Sequence, residues 1–199
     1  MSKPQDTRNI VAALKQHNRV RKIYIDGIPN TLWNKIRAVK KRDPFSALTS
    51  LQLSSKNSNP PTLPDSFLGG STPQLQKLSL HGVPFPALPN LLLFSLDLVE
   101  LDLRDIPRAG YISPKAMVAG FSALTRLQTL CLKFRYPRSQ ADRQSPLLPY
   151  LTRTVLPALT TFHFNGDSEY LEDIMARIDT PFLDGFYITF FNRLIFDTP

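Results

Sequence analysis

The chain has 199 residues, 42% hydrophobic, 10% aromatic and 20% charged, which suits one globular domain or one short repeat array and excludes a disordered chain. A single cysteine, Cys131, excludes an internal disulfide framework and a cysteine zinc site, and no run of 18 or more apolar residues exists to span a membrane. The net charge of +8 is an end effect: residues 1–42 carry +9 and residues 43–199 sum to −1.

The N-terminus, MSKPQDTRNIVAALKQHNR, has neither an apolar core of signal-peptide length nor a small-residue cleavage site. A reduced, intracellular protein, cytoplasmic or nuclear, is therefore expected. Residues 7–16 read as a first helix inside a helical cap over 1–19. From there seven windows fit one template, apolar at positions 1, 4 and 6. They are Val20-Ile23-Ile25, Leu48-Leu51-Leu53, Leu75-Leu78-Leu80, Leu98-Leu101-Leu103, Leu127-Leu130-Leu132, Leu159-Phe162-Phe164 and Leu183-Phe186-Ile188. Successive position-4 residues lie 28, 27, 23, 29, 32 and 24 apart, within or near the range of leucine-rich repeats.

Two further echoes share the register. The approach to the strand reads FSALTSL at 45–51, FPALPNL at 85–91, FSALTRL at 121–127 and LPALTTF at 156–162. Position 8 is glycine in Gly27, Gly82 and Gly166, while Asp105-Ile106-Pro107 repeats the Gly-x-Pro pattern without the glycine. Positions 4 and 6 are two apart, so in a strand they share one face, the core. No repeat buries its leucines alone, so the array holds only collectively.

Between the strands, residues 31–40 (TLWNKIRAVK) put Leu32, Ile36 and Val39 on one helical face. Residues 54–74 are rich in Ser, Pro and Gly and predict loop with one short turn. Residues 113–123 open on Ser113-Pro114, a cap followed by proline at the first helical position. Residues 135–147 are charged and predict an exposed excursion. Residues 167–178 open on Asp167 and place Leu171, Ile174 and Ile178 on one stripe. Eighteen prolines agree with many short elements.

The LxxLxL strands, the FxALTxL lead-ins and the tail ITFFNRLIFDTP resemble the repeat region of fungal F-box/leucine-rich-repeat-type proteins. That resemblance covers essentially the whole chain. It implies an α/β fold, an irregular leucine-rich-repeat solenoid of the ribonuclease-inhibitor-like horseshoe type, with helices and loops on the convex side. In that family the F-box recruits a ubiquitin-ligase scaffold and the repeats select the substrate. No F-box segment is read ahead of the repeats, so it is expected in a longer parent chain, if anywhere. Position 9, often Asn in regular repeats, is here Ile28, Lys56, Val83, Ile106, Arg135, Asp167 and Phe191, which predicts irregular curvature. One array over 1–199 is expected, with seven repeats over 20–191 and an uncapped end over 192–199. That end reads as a fragment, a truncated gene model or a place where a partner meets the chain.

Positions 3, 5 and 7 face away from the core and form the candidate partner-binding surface: Tyr24, Gln52, Lys77, His81, Asp102, Arg104, Lys133, His163 and Tyr187 carry its chemistry. Such mixed polar and aromatic rows suit protein recognition, and exposed parallel-sheet faces are otherwise covered by helices. Cys131 and His163 share position 5 on neighbouring strands, and His81 and Asp102 read as a second matched pair. Neither comes with an oxyanion loop or a third orienting group, so no enzyme, cofactor or metal site is expected. The basic stretch KIRAVKKR holds Lys35, Arg37, Lys40, Lys41 and Arg42. The solvated back of the 31–40 helix explains it more simply than an import signal or a phosphate contact. Electrostatic binding of nucleic acid or an acidic surface through residues 19–42 is the alternative function.

Overall fold

The computed structural model describes residues 18–27, 45–57, 60–137 and 153–191. The expected helices at 7–16 and 31–40, the basic stretch 35–42, residues 138–147 of the excursion and the end at 192–199 lie outside them.

The chain is α/β. Its strands are β1 (Lys22–Ile25), β2 (Ser50–Ser54), β3 (Lys77–His81), β4 (Glu100–Ile106), β5 (Thr129–Phe134), β6 (Thr154–Val155), β7 (Thr161–Gly166), β8 (Ile178–Asp179) and β9 (Gly185–Phe190). Among the described residues the α-helices are α1 (Leu88–Leu92), α2 (Pro114–Phe121) and α3 (Ser168–Arg177). Seven strands form one sheet in the order β1-β2-β3-β4-β5-β7-β9, all pairs parallel. The short β6 and β8 pair separately.

All seven predicted windows fall on strands of this sheet, in register. Ile23, Leu51, Leu78, Leu101, Leu130, Phe162 and Phe186 form one column across it. Ile25, Leu53, Leu80, Leu103, Leu132, Phe164 and Ile188 form the next. From Leu51 to Phe164 these side chains are buried in one continuous core. Position-1 leucines Leu48, Leu75, Leu98, Leu127 and Leu159 are fully buried below them.

Main-chain bonds set the spacing of the strands. The N–H of each position-1 residue from Leu48 onward returns to the carbonyl three residues earlier, as Leu75 does to Thr72 and Leu183 to Thr180. Pro73, Pro157 and Pro181 occupy the second place of such turns, where their fixed φ suits the type I geometry. The position-2 carbonyl then accepts two N–H groups from the next strand's approach: Arg21 from Thr49 and Ser50, Gln76 from Val99 and Glu100. Thr49, Val99, Gln128 and Thr160 repeat the arrangement.

The FxAL echo has a different meaning from the one expected. Leu48, Leu88, Leu124 and Leu159 each donate to the carbonyl of the Phe or Leu three residues before. The motif therefore encodes a buried turn. At 45–51 and 156–162 that turn feeds a strand, but at 85–91 it feeds α1, and at 121–127 it closes α2 one turn ahead of the strand approach.

The helices pack side by side against the same core, α1 beside α2 and α2 beside α3. Ser113 caps α2 as expected, accepting the Ala116 N–H at 3.3 Å, with Pro114 opening the helix. A Cβ on Gly120 would lie 2.9 Å from the Pro89 Cα, so glycine lets α2 approach α1. The 167–178 segment is helical through Arg177, but Ile178 belongs to β8. Tyr170, which the predicted stripe omits, is buried there and donates to the Ile112 carbonyl at 3.0 Å. The described part of 54–74 holds more than the one turn expected: a turn from Pro64 leads into the short helical turn Phe67–Gly70, and a further turn closes at Thr72–Leu75.

Candidate functional site

The face opposite the core presents three rows. Position 5 gives Tyr24, Gln52, Ser79, Asp102, Cys131, His163 and Tyr187, one residue per strand in unbroken register. Below it, position 3 gives Lys22, Ser50, Lys77, Glu100, Thr129, Thr161 and Gly185. Above it, Ser54, His81 and Arg104 are aligned on one side, and Lys133, Asn165 and Thr189 on the other. A register shift after Leu103 separates these two runs. Every predicted partner-binding residue therefore lies on this face.

The shift is placed by backbone conformation. Asp105, at position 8, adopts φ +56°, as Gly27 does at +61° and Gly82 at +65°. Aspartate tolerates this left-handed region better than most side chains. Its carboxylate then meets the Arg135 guanidinium at 2.6 Å, with His81 Nε2 3.8 Å away. Arg135 holds the Asp105 carboxyl below the usual carboxylate range. Asp105 and Arg135 were not among the expected site residues. The Asp-Ile-Pro echo of Gly-Ile-Pro was the sequence signal for the turn, though not for the ion pair.

The face divides by charge. On β2 to β4 the ions are paired among themselves. Lys77 meets Glu100 at 2.8 Å, and that hydrogen bond raises the Lys77 pKa. Arg104 meets Asp102 at 2.7 Å. Asp26, just past β1, accepts from the Ser54 hydroxyl and lies 3.8 Å from Lys56; both lower its pKa. Across β5, β7 and β9 the face has no acid and one cation, Lys133. There the His163 and Tyr187 rings stack 4.5 Å apart and 11° from parallel. The Tyr187 ring also lies close over Gly185, where a Cβ would come within 3.1 Å of it. Tyr24 and Tyr187, at the two ends of the middle row, are 68% and 58% exposed.

Two expectations change. His81 is level with Arg104, not Asp102, because it holds position 7 and Asp102 position 5. Its nearest carboxylate in an ion pair is Asp105. Cys131 sits on the outward face as the register required, yet it is only 3% exposed. Burial, reinforced by the Asp102 carboxylate, pushes its thiol up to about 12. A thiol so shifted is protonated at neutral pH, the opposite of an activated nucleophile. Among the described residues no group of three or more His, Cys, Asp or Glu is placed to hold a metal ion, and no helix is long and apolar enough to cross a membrane.

No protein-family model, curated protein or solved structure matches the chain.

Proposed function

We propose that this chain is a protein-interaction scaffold, an irregular leucine-rich-repeat horseshoe whose outward sheet face holds a partner protein. One parallel strand per repeat of about 27 residues, with apolar columns at positions 4 and 6, supports that architecture. The observation that carries the function is the unbroken middle row, bounded at each end by an exposed tyrosine. Its ends are roughly 29 Å apart at the usual strand spacing, enough to grip a folded partner or a long helix. Aromatic anchors flanked by polar groups carry most of the energy in such interfaces. As the substrate-selecting arm of an F-box ubiquitin-ligase receptor, acting inside the cell, the array would present this face to its substrate. The raised Cys131 pKa and the stacking of His163 on Tyr187 support a role in binding over nucleophilic catalysis.

The second reading, electrostatic binding through residues 19–42, draws on the exposed Arg19, Arg21 and Lys22. A photo-crosslinker placed at residue 187 identifies the partner, and titration with the purified partner then separates the two readings. In the scaffold reading, Tyr187→Ala or Tyr24→Ala weakens binding about tenfold or more, with modest salt dependence. Affinity that collapses with salt and with neutralised Lys40, Lys41 and Arg42, while the tyrosine variants bind normally, would establish electrostatic binding instead.

A further inference from the structure

We infer that the partner presents an acidic helix, its carboxylates seated on Arg104 and Lys133 where the position-7 row crosses β4 and β5. This rests on the scaffold reading above and names the chemistry of what the face holds. Each acid of the outward face is already engaged within the chain. Glu100 meets Lys77, Asp102 meets Arg104, Asp105 meets Arg135, and Asp26 meets the Ser54 hydroxyl and Lys56. The cations are not used up in the same way. Lys22 stands exposed on β1, at the end of the row of strands. Lys133 stands on β5, fifth of the seven strands, partly buried and in no ion pair among the described residues. Burial weakens the hydration of an ammonium, so a carboxylate brought from outside gains most there.

The row around Lys133 is uniform in a second respect. On either side of the register shift, position 7 reads His81 and Arg104, then Lys133, Asn165 and Thr189. Every one of these side chains can donate a hydrogen bond, and none is an acid. The two rows below it contain Glu100 and Asp102. An ionised carboxylate only accepts, so along position 7 it meets donors and no like charge in the row. Arg104 is also prepared for such a contact. Its Nε is bonded to Asp102 at 2.7 Å, with Asp102 15% exposed and Arg104 54% exposed. One N–H is thereby committed and the head is held in place, so less freedom is lost when the others meet a second carboxylate.

The spacing suits a helix laid across the strands. Neighbouring strands lie ~4.8 Å apart. Carboxylates three or four residues apart on a helix have Cβ atoms ~5–6 Å apart. One carboxylate then sits over Arg104 while the next sits over Lys133. A nucleic acid fits the row less well, because two cations neutralise too few phosphates to hold it. A basic segment fits worse still, since the acids it would seek are already paired.

An NMR titration of the isotope-labelled full chain tests this residue by residue. The probe is an alanine-based helical peptide bearing glutamates four residues apart. The amides of His81, Arg104 and Lys133 should move and saturate, with a Kd in the millimolar range set by a few exposed charge contacts. The same peptide bearing lysines should move none of them. Lys133→Gln should weaken binding about threefold to fivefold. Adding Arg104→Gln should abolish the shifts, with circular dichroism unchanged. Shifts confined to residues 19–42, equal shifts with the lysine peptide, shifts at the row that persist in the double variant, or no shift at all overturn the proposal. So does tighter binding of a single-stranded oligonucleotide at the same amides. With a partner captured through residue 187, Lys133→Glu should weaken binding about tenfold or more by reversing the charge. Loss of binding in Tyr187→Ala with full binding by Lys133→Glu overturns the acidic helix and spares the face. Full binding by both overturns the face as well.

Discussion

Gly82 is held by two constraints at once. Its φ of +65° disfavours any side chain, and an added Cβ would sit 2.6 Å from the Ser55 carbonyl oxygen. Gly27 has nearly the same φ and no atom within 4 Å of a Cβ. Gly82→Ala is therefore expected to cost about 2–3 kcal/mol and Gly27→Ala about 1 kcal/mol, read from denaturant midpoints at constant slope. Equal costs would mean that the backbone conformation matters and the close approach does not. The shared position of these glycines was legible in the sequence as an echo. That Asp105 adopts the same conformation was half legible, since its tripeptide matches but its side chain gives no sign of φ. The burial of Cys131 was not legible at all. Alternation placed it on the outward face, and only its neighbours on adjacent strands enclose it. It should stay unreactive toward a thiol reagent at pH 8 until the chain is unfolded; rapid labelling of the native chain would contradict its enclosure.

The strands were legible because each carries two apolar residues at a spacing of two, repeated at intervals that vary but never lose the register. Leu101 lies in the central strand and is fully buried, whereas its column mate Phe186 on β9 is 39% exposed. Leu101→Ala should cost about 2–5 kcal/mol, because the cavity has core on every side. Phe186→Ala removes a larger side chain and should cost less, about 1–2 kcal/mol, since much of it is already in water. Thermal unfolding of the two variants gives the order, and a reversal would place the true core toward β9. The helices were less legible. Ser113-Pro114 announced α2, but α1 has five residues and β6 and β8 two each, too short to display any period. FPALPNL is ambiguous for a related reason. A turn motif looks the same whether a strand or a helix follows it. Residue types alone do not tell that His81 is level with Arg104 and not with Asp102; strand register does.

At the scale of the molecule, among the described residues, ionisable groups on the outward face give stability its response to pH. Asp26 and Asp105 have lowered pKa values, from the Ser54 hydroxyl and from Arg135 respectively. Their contribution is complete above the unfolded carboxylate value near 3.8 and is lost as pH falls through their depressed folded values. Cys131 is raised from 9.0 to about 12, so its contribution is complete below 9.0 and is lost as pH rises toward 12. Lys77, raised by Glu100, weakens in the same alkaline direction. Stability should accordingly be flat from about pH 4 to pH 9 and fall on both sides, as chemical denaturation across pH would record. Asp105→Asn should soften the acid limb and Cys131→Ala the alkaline one; unchanged limbs would mean that neither group carries the pH dependence.

The paired bonds ahead of each strand are main-chain, and only Thr49 and Thr160 add a hydroxyl donor, to the Arg21 and Gln128 carbonyls. Position 2 is accordingly occupied by Arg21, Thr49, Gln76, Val99, Gln128, Thr160 and Asp184, with no chemistry in common. A cut made there and rejoined to the equivalent cut elsewhere presents the neighbouring carbonyl with the same pair of donors. Whole units can thus be lost or duplicated in the gene without leaving an unbonded seam. Such a chain is free to change its length, and with it the breadth of its outward face, by recombination as well as by point substitution.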